Sequence, residues 1–246
     1  MLIEYEKIYH QVEEKHWWNC SRRDFIYKLI FANKTDKGVK ILDIGCSTGL
    51  LIEGLYKLTS AEIFGVDVSV NAINACRKRG LLNTKVMNGE KLDFENSTFD
   101  IVIASDCLEH INDDQKALKE WFRVLKNQGK LIIFVPAFMA LWSQQDSLSN
   151  HFRRYHRNEL RLMLKKTGFK VNRLSFWNNI LFIPILTIRL IFGLFKTETK
   201  IEHNQLQLSN PFINKILMGL LIIENKILMK TNLPVGVSLF SICEKR

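Results

Sequence analysis

Cysteine is sparse and irregularly placed. The five, Cys20, Cys46, Cys76, Cys107 and Cys243, are odd in number, scattered and nowhere spaced as C-x-x-C. That argues against a disulfide framework and gives no cysteine zinc site, so no metal ligand is assigned and a reducing cytoplasm is the expected compartment. The opening MLIEYEKIYHQVEEKHWW lacks the basic-then-apolar profile of a secretory signal. Long clean apolar runs are missing too. NNILFIPILTIRLIFGLF is broken by Pro184 and Arg189, and PFINKILMGLLIIENKILMK by Lys215, Glu224 and Lys226, so neither supplies the roughly 20 uninterrupted residues of a spanning helix. The dinucleotide fingerprint G-x-G-x-x-G also fails. After Gly45 its second glycine position holds Ser47 and its third Leu50, which counts against NAD or FAD.

What is present is a chain of 246 residues, enough for one large α/β domain with an elaboration. Its net charge of +10 and pI near 9.4 favour an acidic partner: nucleic acid, a phosphorylated substrate or an anionic membrane surface. Strand-like VKILDI, EIFGVDV, FDIVIAS and KLIIFVP alternate with helical stretches over 50–58, 70–79 and 112–126. This is the alternation of a doubly wound parallel sheet. The third helix is expected to start after Asn112, with Asp113 and Asp114 in its first turn, and to close at 127–129. A helix over 158–166, a strand over 169–176 and a last strand over 235–243 follow, with nearly sixty residues between those two strands.

Candidate binding residues sit at strand ends, where open α/β sheets hold their ligands. In KILDIGCSTGLLIEGL, over 40–55, an apolar strand ends in Asp43, then Gly45 and Gly49 let the backbone turn sharply and approach a ligand closely. The next strand ends in Asp67, where a carboxylate can take both hydroxyls of a ribose. The first stretch resembles motif I of the class I S-adenosylmethionine-dependent methyltransferases, D/E-x-G-x-G-x-G, with Ser47 at the middle glycine. The resemblance implies a Rossmann-like seven-stranded sheet with the last strand antiparallel, and S-adenosylmethionine as cofactor. It places Asp43, Gly45, Cys46, Ser47, Gly49, Asp67 and Val68 around that cofactor. VMNGEKLDF resembles the family's adenine-holding segment, with Asn88 where Asp is common and Gly89 after it; an ordinary Asn-Gly turn is the plainer reading. ASDCLEHI resembles the segment after the fourth strand, so Ser105 and Asp106 would flank the methionine moiety. Glu109 and His110 would face the acceptor, His110 as a general base titrating near the working pH, or would merely cap the next helix.

LWSQQDSLSNHFRRYHRNEL clusters Arg153, Arg154 and Arg157 with His151, Tyr155 and His156. Guanidinium forks match phosphate or carboxylate, and Tyr155 could stack on a sugar or base, so His151, Arg153, Arg154 and Tyr155 are expected at the acceptor. A solvated basic loop is the alternative. Trp17 and Trp18 are read as a core-packing face or as part of a lid formed by 1–35. HWW, D-x-x-x-x-H-x-R-R-Y and LPVGVSLFSICEKR together resemble a subgroup of bacterial methyltransferases associated with cell-surface glycan or lipid assembly. No N-P-P-Y, D-P-P-Y or Pro-Cys pair is present, which makes nucleic acid a minority partner. The expected organisation is a cofactor domain over 36–177 and 234–246, with a helical insertion over 178–233. That insertion would lie on a membrane surface, form a dimer interface or cover the core. The acceptor is expected to be small or lipid-linked and anionic, with oxygen the methylated atom; a quinone or other lipid ring, or a non-catalytic protein docking a membrane enzyme, are the alternatives.

Overall fold

Apolar runs become strands and amphipathic stretches become helices in the computed structural model, which describes residues 3–31, 38–194 and 210–246. The chain runs α1 (Ile3–Val12), α2 (Trp17–Phe31), β1 (Lys40–Ile44), α3 (Leu50–Tyr56), β2 (Glu62–Asp67), α4 (Val70–Lys78) and β3 (Thr84–Val86). It continues with β4 (Phe99–Ser105), α5 (Asp114–Val124), β5 (Leu125–Pro136), α6 (Gln144–Leu148), α7 (Arg157–Thr167) and β6 (Phe169–Trp177). Helices α8 (Phe182–Leu194) and α9 (Pro211–Leu228) then precede β7 (Ser238–Lys245). The seven strands form one sheet in the order β3-β2-β1-β4-β5-β7-β6. Strands β1 to β5 pair in parallel, while β7 inserts antiparallel between β5 and β6. This is the Rossmann-like seven-stranded sheet expected, with its antiparallel last strand.

Side chains alternate across the pleat. Leu42 and Ile44 join Val102, Leu118 and Trp121 in one apolar cluster, while Ile41, Ile101 and Ile103 join Phe25, Leu51 and Ile73 in the other. Burial on both faces explains why the central strands read as unbroken apolar runs. Strand order reverses between β1 and β4, so the chain leaves Ile44 and Ser105 in opposite directions and a crevice opens at their carboxyl ends.

Two boundaries differ from the sequence-based expectation. Asp113, not Asn112, caps α5, its carboxylate accepting from Lys116 N–H at 2.9 Å. Residues 127–129 do not close that helix. The chain passes straight from Val124 into β5, and Gln128, at φ 63°, lies beside a register shift between Phe99 and Ile101.

The N-terminal helices divide in role. Helix α2 packs into the core through Phe25, Ile26, Leu29 and Ile30, with the Phe25 ring edge-on to Phe240 and Phe134. Helix α1 lies over the crevice, where Glu6, Tyr9, His10 and Glu13 line the opening. The insertion is fastened to this assembly by polar contacts. Asn225 of α9 accepts from Trp177 Nε1 at 2.9 Å and donates to Ser21 O at 2.8 Å, and Asn214 accepts from Trp17 N–H at 3.0 Å. Glu224, 1% exposed, accepts from the backbone N–H groups of Asn178, Asn179 and Ile180. Residues 195–209, in the middle of the expected insertion, lie outside the described residues, as do 32–35 of the expected lid. No described helix is long and apolar enough to cross a membrane.

Glu224→Ala would strand three backbone donors where the insertion leaves β6. Loss of charge-assisted hydrogen bonds of this kind costs about 1.5–3 kcal/mol. The urea midpoint should fall accordingly, and an unchanged midpoint would show that Glu224 does not anchor the insertion.

Candidate active site

The turn after β1 is built on positive backbone angles: Gly45 at φ 76°, Ser47 at 47° and Gly49 at 82°. A Cβ at Gly49 would stand 2.4 Å from Leu81 Cδ1, so this turn tolerates only glycine there. Ser47, a residue type that seldom adopts positive φ, is held by its neighbours. Its N–H donates to Asp67 Oδ2 at 3.0 Å and its hydroxyl to Glu13 Oε2 at 3.0 Å. Thr48 Oγ1 donates to the same Glu13 oxygen at 2.9 Å. Asp67 accepts from Ser69 N–H on its other oxygen at 2.9 Å, so one carboxylate ties the β1 turn to the start of α4.

Around this turn a chain of charge +10 presents a wall of acids. Glu6, Glu13, Asp43, Asp67, Asp106 and Glu109 all line one cleft of about 1180 Å³. Burial pushes Asp43 up to about 8, helped by the charges of Asp67 and Glu13. Burial likewise raises Asp67 against the pull of its two backbone donors, and raises Glu13 against its Thr48 and Ser47 hydrogen bonds. Such a cluster is relieved by a cation, so the donor set fits a ligand of net positive charge. S-adenosylmethionine, with a sulfonium, an ammonium and one carboxylate, is such a ligand.

Other residues expected at the cofactor also line the cleft: Gly45, Cys46, Val68, Asn88, Gly89 and Ser105. Gly49 is not among the lining residues; it serves the turn. Asn88 closes its own turn, its side-chain carbonyl accepting from Glu90 N–H at 2.9 Å, as the plainer reading had it. Asp106, at φ 52°, pairs at 3.4 Å with Arg22. Arg22 is itself 3% exposed and sits 4.1 Å and 4.3 Å from the ring centroids of Trp177 and Phe134. The stacked guanidinium and the half-buried Asp106 carboxylate together line the crevice.

The basic loop behaves differently from expectation. Arg154 spends its fork internally, Nε and Nη2 on the two oxygens of Asp146 at 2.8 and 3.0 Å, and Nη1 on Ala137 O. Arg153 binds Asp114 and Asn112 O at 2.7 Å each and does not line the cleft. Tyr155 is fully buried, its hydroxyl on Asp114 at 3.1 Å, so it cannot stack on an acceptor. Burial removes Tyr155 from the acceptor; for the two arginines, a guanidinium fork fits a protein carboxylate as well as a substrate's, though Arg154 still lines the cleft. His151, Trp17 and Trp18 do line the cleft. Trp18 packs edge-on against Trp177 at 4.9 Å, so the HWW segment is partly core and partly rim.

His110 also departs from the sequence reading. Burial, together with the neighbouring His151, draws it down to about 3, so it stays neutral but is a weak base. Beside it Glu109 is 1% exposed with neither oxygen hydrogen-bonded, and burial raises it well above the carboxylate range. Burial opposes the charge of Asp146, yet His151 and Arg154 hold it below the usual range.

Four residues of the site escaped sequence reading. Glu13 reaches the glycine turn from a distant helix, Arg22 lies under the cleft, and Asp146 organises the loop around His151 and Arg154. Arg189 lines the cleft from α8. A lone arginine inside an apolar run was the available signal for it, since such a charge needs a polar destination.

Cofactor binding should release protons at pH 7. Asp43 is largely protonated in the free protein, and an adjacent cation lowers its pKa. Calorimetry in buffers of different ionisation enthalpy should report net proton release, and proton uptake would contradict the acidic-wall account. The sign for stability is parallel. A carboxyl raised from 3.8 to about 8 on folding stabilises fully below 3.8 and progressively less as pH rises to 8. The melting temperature of the free protein should therefore fall over that range.

Comparisons with known proteins agree with this geometry. Residues 42–133 match the family model described as a methyltransferase domain. A mitochondrial ubiquinone biosynthesis O-methyltransferase of Schizosaccharomyces pombe is 32% identical over 127 residues, 48% of this chain and 45% of that protein. The chain thus spans about half the length of the curated relatives it matches first. A chain in the complex of the Haloferax volcanii Trm112 methyltransferase activator superposes with a TM-score of 0.65 at 16% identity, covering 98% of this chain and 97% of that one. The Haemonchus contortus phosphoethanolamine N-methyltransferase 2, in complex with S-adenosyl-L-methionine, superposes at 0.60 and 21% identity over 90% of this chain and 52% of its own. With the glycine turn, the strand-end acids and the β7 insertion in place, residues 42–133 match a methyltransferase domain and the chain shares the fold of the S-adenosylmethionine-dependent methyltransferase it superposes on.

Proposed function

We propose that the chain transfers the methyl group of S-adenosylmethionine to an oxygen of a small or lipid-linked acceptor bearing an anionic group, in cell-envelope glycan or lipid synthesis at the cytoplasmic face of a membrane. The observation that carries this reading is the continuity of one cleft. Its lining includes the cofactor-side acids Asp43 and Asp67 and also Glu109, His110, His151 and Arg189. When bound, the cofactor supplies an electrophilic methyl carbon whose bond to sulfur breaks, leaving the electron pair on sulfur, as the acceptor oxygen bonds to it. The protein's task is positioning, exclusion of water and removal of the hydroxyl proton. Asp67 is assigned to the ribose hydroxyls, Val68 and Asn88 to the adenine, and Ser105 and Asp106 to the methionine portion. Helix α1, latched to the glycine turn through Glu13, is assigned the role of lid with Trp17. Neutral His110 is in the right form to accept a hydrogen bond from an acceptor hydroxyl.

An anionic acceptor needs a cation with free donors. Arg154 is committed to Asp146, whereas Arg189 has no hydrogen bond or ion pair among the described residues. Burial, and then Arg154, lower its pKa, against a weaker pull from the Asp146 carboxylate that Arg154 and His151 already engage. Arg189 is therefore assigned to the acceptor's anionic group.

A quinone-type ring is a second reading, favoured by Trp17, Leu141, Ile185 and Leu217 in the same lining and by the name of the Schizosaccharomyces relative. Exposed Ile183 and Ile188 of α8 and Phe212 and Ile223 of α9 offer an apolar face for either lipid-borne acceptor. Incubation with methyl-labelled cofactor, with and without anionic vesicles, separates the readings. Label should enter a polyprenyl-phosphate-linked sugar if the first holds and a hydroxylated prenyl ring if the second does. Label in neither would sink both. With the phosphorylated acceptor, Arg189→Gln should raise KM about ten- to a hundredfold and leave cofactor affinity unchanged.

A further inference from the structure

We propose that Glu109, His110 and His151 form a binding site for one divalent transition-metal ion inside the cleft. A carboxylate oxygen of Glu109 and one ring nitrogen of each histidine lie within 4.8 Å of one another. Modest side-chain adjustment brings three such donors to the roughly 2.0–2.2 Å bonds of a bound ion. Two imidazoles and one carboxylate suit zinc, cobalt, manganese or ferrous iron, whereas magnesium prefers an all-oxygen shell.

Glu109 is the decisive member. It is buried from solvent and lines the cleft, yet neither of its oxygens has a hydrogen-bond donor. A buried carboxylate in that state is costly unless it is paired or bound to a metal. The two guanidinium groups that act on it electrostatically make their hydrogen bonds elsewhere, Arg22 through Nη1 and Nη2 to Asp106 and Ser238 with its Nε unpartnered, and Arg154 to Asp146. Glu109 thus presents two open carboxyl oxygens to the cleft with no hydrogen bond from the protein to fill them.

The two histidines are held as metal ligands are held. His151 Nδ1 meets Asp146 Oδ1 at 2.9 Å, and Arg154 fixes Asp146 in turn. A carboxylate behind one ring nitrogen sets the tautomer and leaves the other nitrogen with a lone pair, the outer-shell arrangement of metal-bound histidines. The His110 ring crosses that of His151 edge-on at 4.5 Å. Asp146 lies in α6 and His151 and Arg154 in the loop that follows it, Glu109 and His110 come from the connection after β4, and Phe152 N–H joins the two segments through Glu109 O at 2.8 Å.

The site stands without the methyl-transfer reading. Joined to it, the ion would supply what His110 lacks as a base, because a hydroxyl bound to a dication loses its proton far more easily.

The test is calorimetric titration of the tag-free full chain with Zn2+ and with Mg2+, no cofactor present. One zinc ion per chain should bind with micromolar or tighter affinity and magnesium should give no saturable heat. Glu109→Gln and His151→Ala should each weaken zinc at least tenfold, and Asp146→Asn about ten- to a hundredfold through His151. The absence of a one-to-one zinc site, or wild-type affinity in both ligand variants, would overturn the proposal. A readout that needs no variant is the absorption of the Co2+-loaded wild type. Visible d–d bands without a strong near-ultraviolet thiolate band are expected; a thiolate band would place the ion on cysteine and reject the site.

Discussion

The fold of the site depends on one tie, between the carboxylate of Asp67 and the backbone N–H of Ser47. The turn after β1 passes through three positive-φ residues within five positions, and the bond within it from Gly49 N–H to Cys46 O at 2.9 Å leaves Ser47 N–H to find its partner elsewhere. Asp67, arriving on the neighbouring parallel strand in register with β1, supplies that partner. Its second oxygen binds Ser69 N–H, so the same group starts α4. The crevice, the approach of Glu13 and the placing of Asp43 at its edge all follow from that geometry.

Electrostatics then divides the molecule. A strongly basic chain would be expected to carry a basic pocket, yet the charged residues of the cleft include more carboxylates than guanidiniums, and burial raises Glu13, Asp43, Asp67 and Glu109. The positive charges near it are mostly spent inside the protein, Arg22 on Asp106 and aromatic faces, Arg154 on Asp146. Arg189 is the cation of the lining that this internal pairing leaves over among the described residues.

Much of the fold was legible because the relevant signals are local. Apolar period and strand-end glycines mark β1, β2, β4 and β5, and the antiparallel β7 followed from the family resemblance. Helix boundaries were less legible: Asp113 and Asn112 are both good caps, and nothing in 127–129 tells a helix end from a strand bulge. The acceptor side was the least readable. Whether a guanidinium meets a substrate or an aspartate eight residues away depends on loop geometry, as Arg154 and Asp146 show, and the burial of Tyr155 on Asp114 depends on an element forty residues distant. The histidine was found but its pKa was not, because burial is a property of the assembled fold.

Cofactor affinity in Asp67→Asn is the most direct test of this account. The substitution keeps one acceptor oxygen for Ser47 N–H, gives up the bond to Ser69 N–H at the start of α4, and removes the charge assigned to the ribose hydroxyls. Calorimetry should show S-adenosylmethionine binding weakened about ten- to a hundredfold, the loss of charge-assisted hydrogen bonds of roughly 1.5–3 kcal/mol, in a protein whose circular dichroism is unchanged. Wild-type affinity in that folded variant would contradict the assignment of the strand-end acids to the cofactor.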